Sequence, residues 1–472
     1  MKTIKYLFMI MVLASICACT KDKLLSFQIN ETETQYETML KFDSENDLAN
    51  FADQYKDSNT SVSTKASSAP SGFISLWDSN RNAVLSKLSP AEISEAKREG
   101  LEYEPEDEII VDPVFAKILN PRREVSVNGK TYRYIKTGVI VYDKNADIKL
   151  VDNFAPEQYS TLKHKDEVSI GKGVNFIRIE YQIPIYYTES PETKAPILEP
   201  GLYSDKLILK DGISIPISDV KMVEYAQGSG DANGFQKTIS SIFGTSVVAE
   251  NYFDSKHRMK LRTFAQDFVV YTSVGMTVRM QQKSVGIWWR KKAQEFRYGW
   301  TAVECHYTYK GPSFPSGVTF QNADVLLHSH ANYYSKPIVL FSVPIVDYKV
   351  TDKKVSTIIK SLLQKNKSKI NVWMNNNPEY KDNPYSVFSA NKTTEYSVIF
   401  PQYEETATND GREQVNWDFR VHAQAGVKIG AGGLTPTFSP VSDPEKIEIS
   451  RGEIYAAVKY GNAWKACVIS TK

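Results

Sequence analysis

Cysteine is scarce in this chain, four in 472 residues, which excludes a small scaffold held by disulfides. An excess of one charge is also missing. Lys and Arg number 57 against 55 Asp and Glu, a formal net of +2, and that argues against a strongly basic nucleic-acid binder. There is no long hydrophobic run: the best internal stretch, Pro337 to Val346, is ten residues and holds two prolines, too short to cross a bilayer. No repeat of fixed period is visible. No G-x-S-x-G nucleophile elbow exists, and Gly430-Ala431-Gly432-Gly433 runs into Leu-Thr-Pro rather than a phosphate-loop Lys. What is present is an ordinary globular composition, 42% hydrophobic and 24% charged, with 27 Tyr and 21 Phe leaning towards β structure. The length suits about three domains.

The N-terminus carries the clearest signal. Lys2 and Lys5 precede Leu7 to Ala18, twelve apolar residues that read as a secretory h-region. Ile16-Cys17-Ala18-Cys19 follows, with an apolar residue at minus three and a small one at minus one before Cys19. Cys17 fits less well, because bulky Ile16 precedes it. This segment resembles the lipobox of bacterial lipoproteins, and with its flank Thr20-Lys21-Asp22-Lys23 it resembles cell-envelope lipoproteins of the Bacteroidetes type. The resemblance implies cleavage before Cys19, acylation of that residue and an outer-membrane protein, displayed on the outer or the periplasmic face. Several acyl chains, at roughly 0.8 kcal/mol per buried CH₂, make a firm anchor. A protein cleaved nearby and secreted in soluble form is the plainer alternative. Removal of Lys2 and Lys5 would leave the mature chain with no net charge.

The expected class is α+β, mostly antiparallel β: short N-terminal helices followed by β-rich, sandwich-like modules. The divisions expected are a signal peptide over 1–18, a tether over 19–41, an α+β module over 42–155, a β-rich module over 156–315 and another over 316–472. Ser44 and Asp47 open a helix with Leu48, Phe51, Ala52 and Tyr55 on one face. Ser89-Pro90-Ala91-Glu92 gives N-cap, N1 proline and N3 glutamate, with Gly100 as the stop. Pro113 to Leu119 reads as one further turn. Hairpins are expected at Val125 to Ile135 around Asn128-Gly129, at Leu207 to Ile217 around Asp211-Gly212, and at Glu453 to Ile469 around Gly461-Asn462. Strands are expected at Gly138 to Tyr142, along alternating Ile177 to Ile185, and at Phe268 to Met280, Thr301 to Tyr309, Ile338 to Val343 and Tyr396 to Phe400. Helices are expected at Gly234 to Phe243 and over 352–365. Gly228 to Gly234 reads as a turn.

Charge is unevenly placed. From Lys256 to Trp300 ten Lys or Arg face two acids, a net of +8, interleaved with Trp288, Trp289, Phe296, Tyr298 and Trp300. If Trp288, Trp289, Arg290, Tyr298 and Trp300 are exposed, rings and guanidinium forks would suit a glycan or another anionic surface. If the strands are half-buried, the rings are core and the cations are solvated. From Glu92 to Asp112 nine acids face two cations, a net of −7, which suits a solvated face, a Ca²⁺ site or docking on the basic segment.

His328-Ser329-His330 would place two imidazoles on one face of a strand, a spacing that can chelate a transition metal. Only His422 follows, and strand–helix alternation is missing, which disfavours an amidohydrolase barrel. Cys305 and Cys467 are the two mature cysteines, able to pair in an exported protein or to stand as free buried thiols. No cofactor and no nucleic acid is expected. The leading expectation is a non-catalytic binding or adhesion protein, held to the membrane by its lipid, with a glycan or protein partner. A surface hydrolase and a structural component of an envelope complex are the alternatives.

Overall fold

The computed structural model describes residues 38–53, 70, 72–179, 185–187, 201–202, 204–226, 243–308, 322–327, 338–344, 387–392, 395–416, 423–430, 433–440 and 446–471. The chain is β-rich, with mostly antiparallel sheets and a few short helices gathered near the N-terminus. The expected helices 234–243 (all but Phe243) and 352–365 lie outside the described residues.

Capping residues set the helices. Ser44 Oγ accepts from Asp47 N at 3.2 Å ahead of Glu45–Asp53, whose Leu48 and Ala52 are fully buried. Ser75 caps Leu76–Leu85 in the same way, a helix not anticipated from sequence. Ser89 and Glu92 form the expected capping box ahead of Pro90–Arg98. Asp112 caps Pro113–Ile118, in which every residue is buried, Lys117 included.

All of these helices but Pro90–Arg98, whose Ala96 packs on Trp289, lie on a six-stranded sheet in the order Lys41–Phe42, Glu124–Val127, Lys130–Ile135, Gly138–Tyr142, Val174–Arg178, Glu167–Gly171. Asn128 (φ 51°) and Gly129 (φ 72°) make the tight turn of the first hairpin, as their sequence implies. The sheet runs across the expected module boundary at 155.

The second body is a β-sandwich. One sheet has Gly244–Tyr252, His257–Asp267, Thr272–Ser284 and Ile287–Arg290 in order, with Arg412–Asn416 also paired to Thr272–Ser284. The other has seven strands: Val387–Lys392, Glu395–Thr408, Glu295–Thr308, Lys446–Tyr460, Ala463–Thr471, Val220–Ala226 and Ile185–Tyr187. It therefore joins segments from both sides of the boundary expected at 315. Alternate residues meet between the sheets: Met259, Leu261, Met276 and Val278 from one, Phe296, Trp300, Ile454, Val458 and Ile469 from the other. The far face of the seven-stranded sheet is buried too. Tyr455, Ala457, Ala466 and Val468 pack on Leu207, Leu209 and Ile215.

Phe268 to Tyr271 is a turn rather than the start of a strand, with Val269 at φ 69°. The turn enters the helix–sheet core: Phe115 lies 4.5 Å from Phe268 and 4.8 Å from Tyr271, ring to ring. Tyr134 Oη donates to Phe268 O at 2.9 Å. This plug ties the N-terminal sheet to the sandwich.

Candidate functional site: a cationic sheet face and its uncovered end

Strand alternation sends Met259, Leu261, Met276 and Val278 into the sandwich. It sends Arg258, Lys260, Arg262 and Arg279 to the opposite face. Register then places like charges side by side: Lys260 opposite Arg279, and Arg279 opposite Arg412. Such pairs repel unless acids intervene. All of these, with Arg290, are less than a tenth exposed.

The acids come from the segment after Gly100. Glu102, Glu104 and Glu106 alternate along extended chain, so their carboxylates dip to one side. Glu102 forms a backbone bridge with Arg290, N to O at 3.1 Å and 2.7 Å, and their side chains also pair. Glu104 lies 3.0 Å from Arg279 and 3.3 Å from Arg290. Glu106 accepts from Lys260 Nζ at 2.8 Å, Arg262 Nη2 at 2.8 Å and Arg279 Nη1 at 2.9 Å. Gln266 secures the end of the strap. Its Oε1 accepts from Val111 N at 3.1 Å and Asp112 N at 3.0 Å.

The acidic segment and the basic segment thus neutralise each other inside the fold, one of the options their charges left open. Loss of water alone would push the Glu106 carboxyl up; Arg262, Arg279 and Lys260 outweigh it and hold it well below the usual carboxylate range. Burial, with Arg262 adding to it, brings Lys260 down to about 8. Burial brings Lys117 down to about 8 as well, helped by Arg412. A narrow recess beside the strap, lined by Trp77, Pro105, Glu106, Arg262 and Arg279, has room for about one water molecule, far too little for a ligand.

The aromatic residues separate. Trp289 (2% exposed), Tyr298 (4%) and Trp300 (0%) are core, and Arg290 is paired under the strap, so these four make no exposed binding face. Trp289 packs with Ala96 and Leu101, and Trp300 fills the sandwich. Trp288 alone stays half-buried at the sheet's end, beside exposed Tyr252. A further perturbed acid was not anticipated. Glu413 is pushed up to about 7 by burial, with Asp410 and Glu405 adding to it, and Tyr298 Oη donates to it at 3.4 Å.

Cys467 is a buried free thiol, and burial pushes its pKa up. Register rules out the expected alternative of a bond to Cys305. Cys467 pairs with Ala456, which pairs with Tyr298, seven residues along the strand from Cys305. At about 3.3 Å per residue the offset is on the order of 20 Å, against a Cα separation of at most about 7 Å for a disulfide. Cys19, His328 and His330 lie outside the described residues. Among the described residues no three His, Cys, Asp or Glu form a metal-binding group. Among them too, no helix is long and apolar enough to cross a membrane. No family model, curated protein or solved structure matches the chain.

Proposed function

We propose that this chain is a lipoprotein of the cell envelope, held to the outer membrane through acylated Cys19, whose β-rich body binds a glycan or protein partner without catalysis. The anchor rests on Ile16-Cys17-Ala18-Cys19 and the apolar stretch before it. The non-catalytic reading is supported by one observation. Among the described residues the densest set of perturbed charges, around Glu106, is spent on mutual pairing that holds two parts of the fold together. It forms no acid–base pair at a roomy cleft, which hydrolysis would need.

The test is metabolic labelling with palmitate, followed by membrane fractionation. Label in the native protein and its loss in Cys19→Ala, with release from the outer-membrane fraction, is the expected result. Label that persists in Cys19→Ala would overturn the anchor. Hydrolysis of a polysaccharide or peptide by the purified chain would overturn the non-catalytic role.

A further inference from the structure

One end of the five-stranded sheet is left uncovered by the acidic strap. It is bounded by the turns at 253–256 and 285–286. Tyr252 is 47% exposed there, and its ring stands edge-on to Trp288 with centroids 6.1 Å apart. The Arg258 guanidinium lies over the Trp288 ring at 4.1 Å. Glu250 Oε2 accepts from Arg258 Nη1 at 2.7 Å and from Tyr252 Oη at 3.0 Å, and Gln281 Oε1 accepts from Arg258 Nε at 2.9 Å. The two rings are therefore fixed by a network beneath them, the preorganisation that a binding platform needs.

Two lysines flank the rings. Lys283 N donates to Lys256 O at 2.7 Å, which ties the two turns together, and both residues are exposed. Lys283 pairs with Trp288 across the strands, its Nζ 6.0 Å from the ring. The nearby acids are already engaged. Glu250 holds Arg258, and Asp254 Oδ1 accepts from Lys256 N at 2.7 Å while Oδ2 lies 2.8 Å from His257 Nδ1. Asp254 keeps its charge, but Arg258, Lys256 and Lys283 outnumber Glu250 and Asp254, so a net cationic charge is left beside aromatic surface.

We propose that this end of the sheet is a platform for an acidic saccharide, a sugar chain bearing carboxylate or sulfate groups. Tyr252 and Trp288 offer ring surface to the apolar face of a sugar, and Lys256 and Lys283 receive its acid groups. The proposal rests on the binding role above and narrows its ligand. A membrane surface fits less well: Glu250 and Arg258 pin the two rings side-on, whereas docking into lipid needs apolar side chains free to project.

The test uses the polypeptide from Thr20 to Lys472, run by affinity electrophoresis through gels holding polygalacturonate, chondroitin sulfate or neutral dextran. A parallel flotation uses phosphatidylglycerol vesicles. Retardation by an acidic polymer and not by dextran is expected. Affinity should fall about tenfold in Tyr252→Ala with Trp288→Ala, and by a similar factor in Lys256→Gln with Lys283→Gln, which leaves the rings in place. Retardation that both pairs of substitutions leave unchanged would overturn the platform and keep the binding role. Retardation by dextran alone would overturn the ligand class. Flotation with the vesicles and no retardation by any polymer would reassign the surface to membrane docking. No interaction in any arm would overturn the platform and the glycan reading together, leaving a protein partner.

Discussion

Glu106 is exposed through its backbone while its carboxylate dips among Lys260, Arg262 and Arg279. Removing it leaves three neighbouring cations with their mutual repulsion uncompensated. Glu106→Gln should cost about 1–3 kcal/mol at pH 7, less than the penalty for a fully buried pair because part of the carboxylate stays in water. The sign of its pH dependence follows from its lowered pKa. The native carboxylate is favoured above the free value of 4.5, and that stability is lost as pH falls towards the depressed native value. The gap between native protein and Glu106→Gln in urea denaturation should therefore shrink at pH 3. Glu413 has the opposite sign. Its native pKa of about 7 lies above 4.5, so stability present below 4.5 is lost as pH rises through 7. Glu413→Gln should be more stable than the native chain at pH 8 and close to it at pH 4. An equal effect at both pH values would refute the assignment.

At the scale of the element, the strap from Glu99 to Asp112 has little regular structure, and charge and capping hold it. Changing Glu102, Glu104 and Glu106 together to Gln should free it. Amide exchange at Glu102 and Arg290, which bond to each other through the backbone, should then rise well above exchange in the Pro90–Arg98 helix. Unchanged protection at those two amides would show that the backbone bridge and Gln266 suffice. Short-range chemistry was legible in the sequence. Ser89 with Glu92, Asn128-Gly129 and Gly461-Asn462 each specify their own geometry, and each forms the expected element. Long-range choices were not. Lys260 and Arg262 look solvated by type, and only the strap's arrival explains their burial. Trp289 and Trp300 sit among cations in sequence, yet alternation turns them away from those neighbours into helix and sheet cores. The charge blocks were visible, but nothing local said that they meet.

The whole molecule is closed by its last strand. Ala463–Thr471 lies inside the seven-stranded sheet, antiparallel to Lys446–Tyr460 on one side and parallel to Val220–Ala226 on the other. The strand 220–226, paired on one edge with nearby Ile185–Tyr187, thus finds its other partner more than two hundred residues later, a costly loop to close before contacts repay it. Both faces of the last strand are used. Cys467 and Ile469 enter the sandwich, while Ala466 and Val468 pack on the small sheet holding Leu207 and Ile215. Burying Val468 and Ile469 alone is worth roughly 3–6 kcal/mol, a large part of the 5–15 kcal/mol that holds a typical domain together. A chain ending at Tyr460 should therefore leave the sandwich unfolded, and not merely shorten it. The six-stranded N-terminal sheet has a core of its own, with Leu48, Phe115, Val125 and Val139, and meets the sandwich through Phe243, the 268–271 plug, the Lys165–Asp267 ion pair and the acidic strap. Limited proteolysis should then digest residues 244–460 rapidly in the truncated chain, while a fragment spanning the helices and the N-terminal sheet persists. A truncated chain whose sandwich resists protease as the native one does would show that the sheet closes without its final strand.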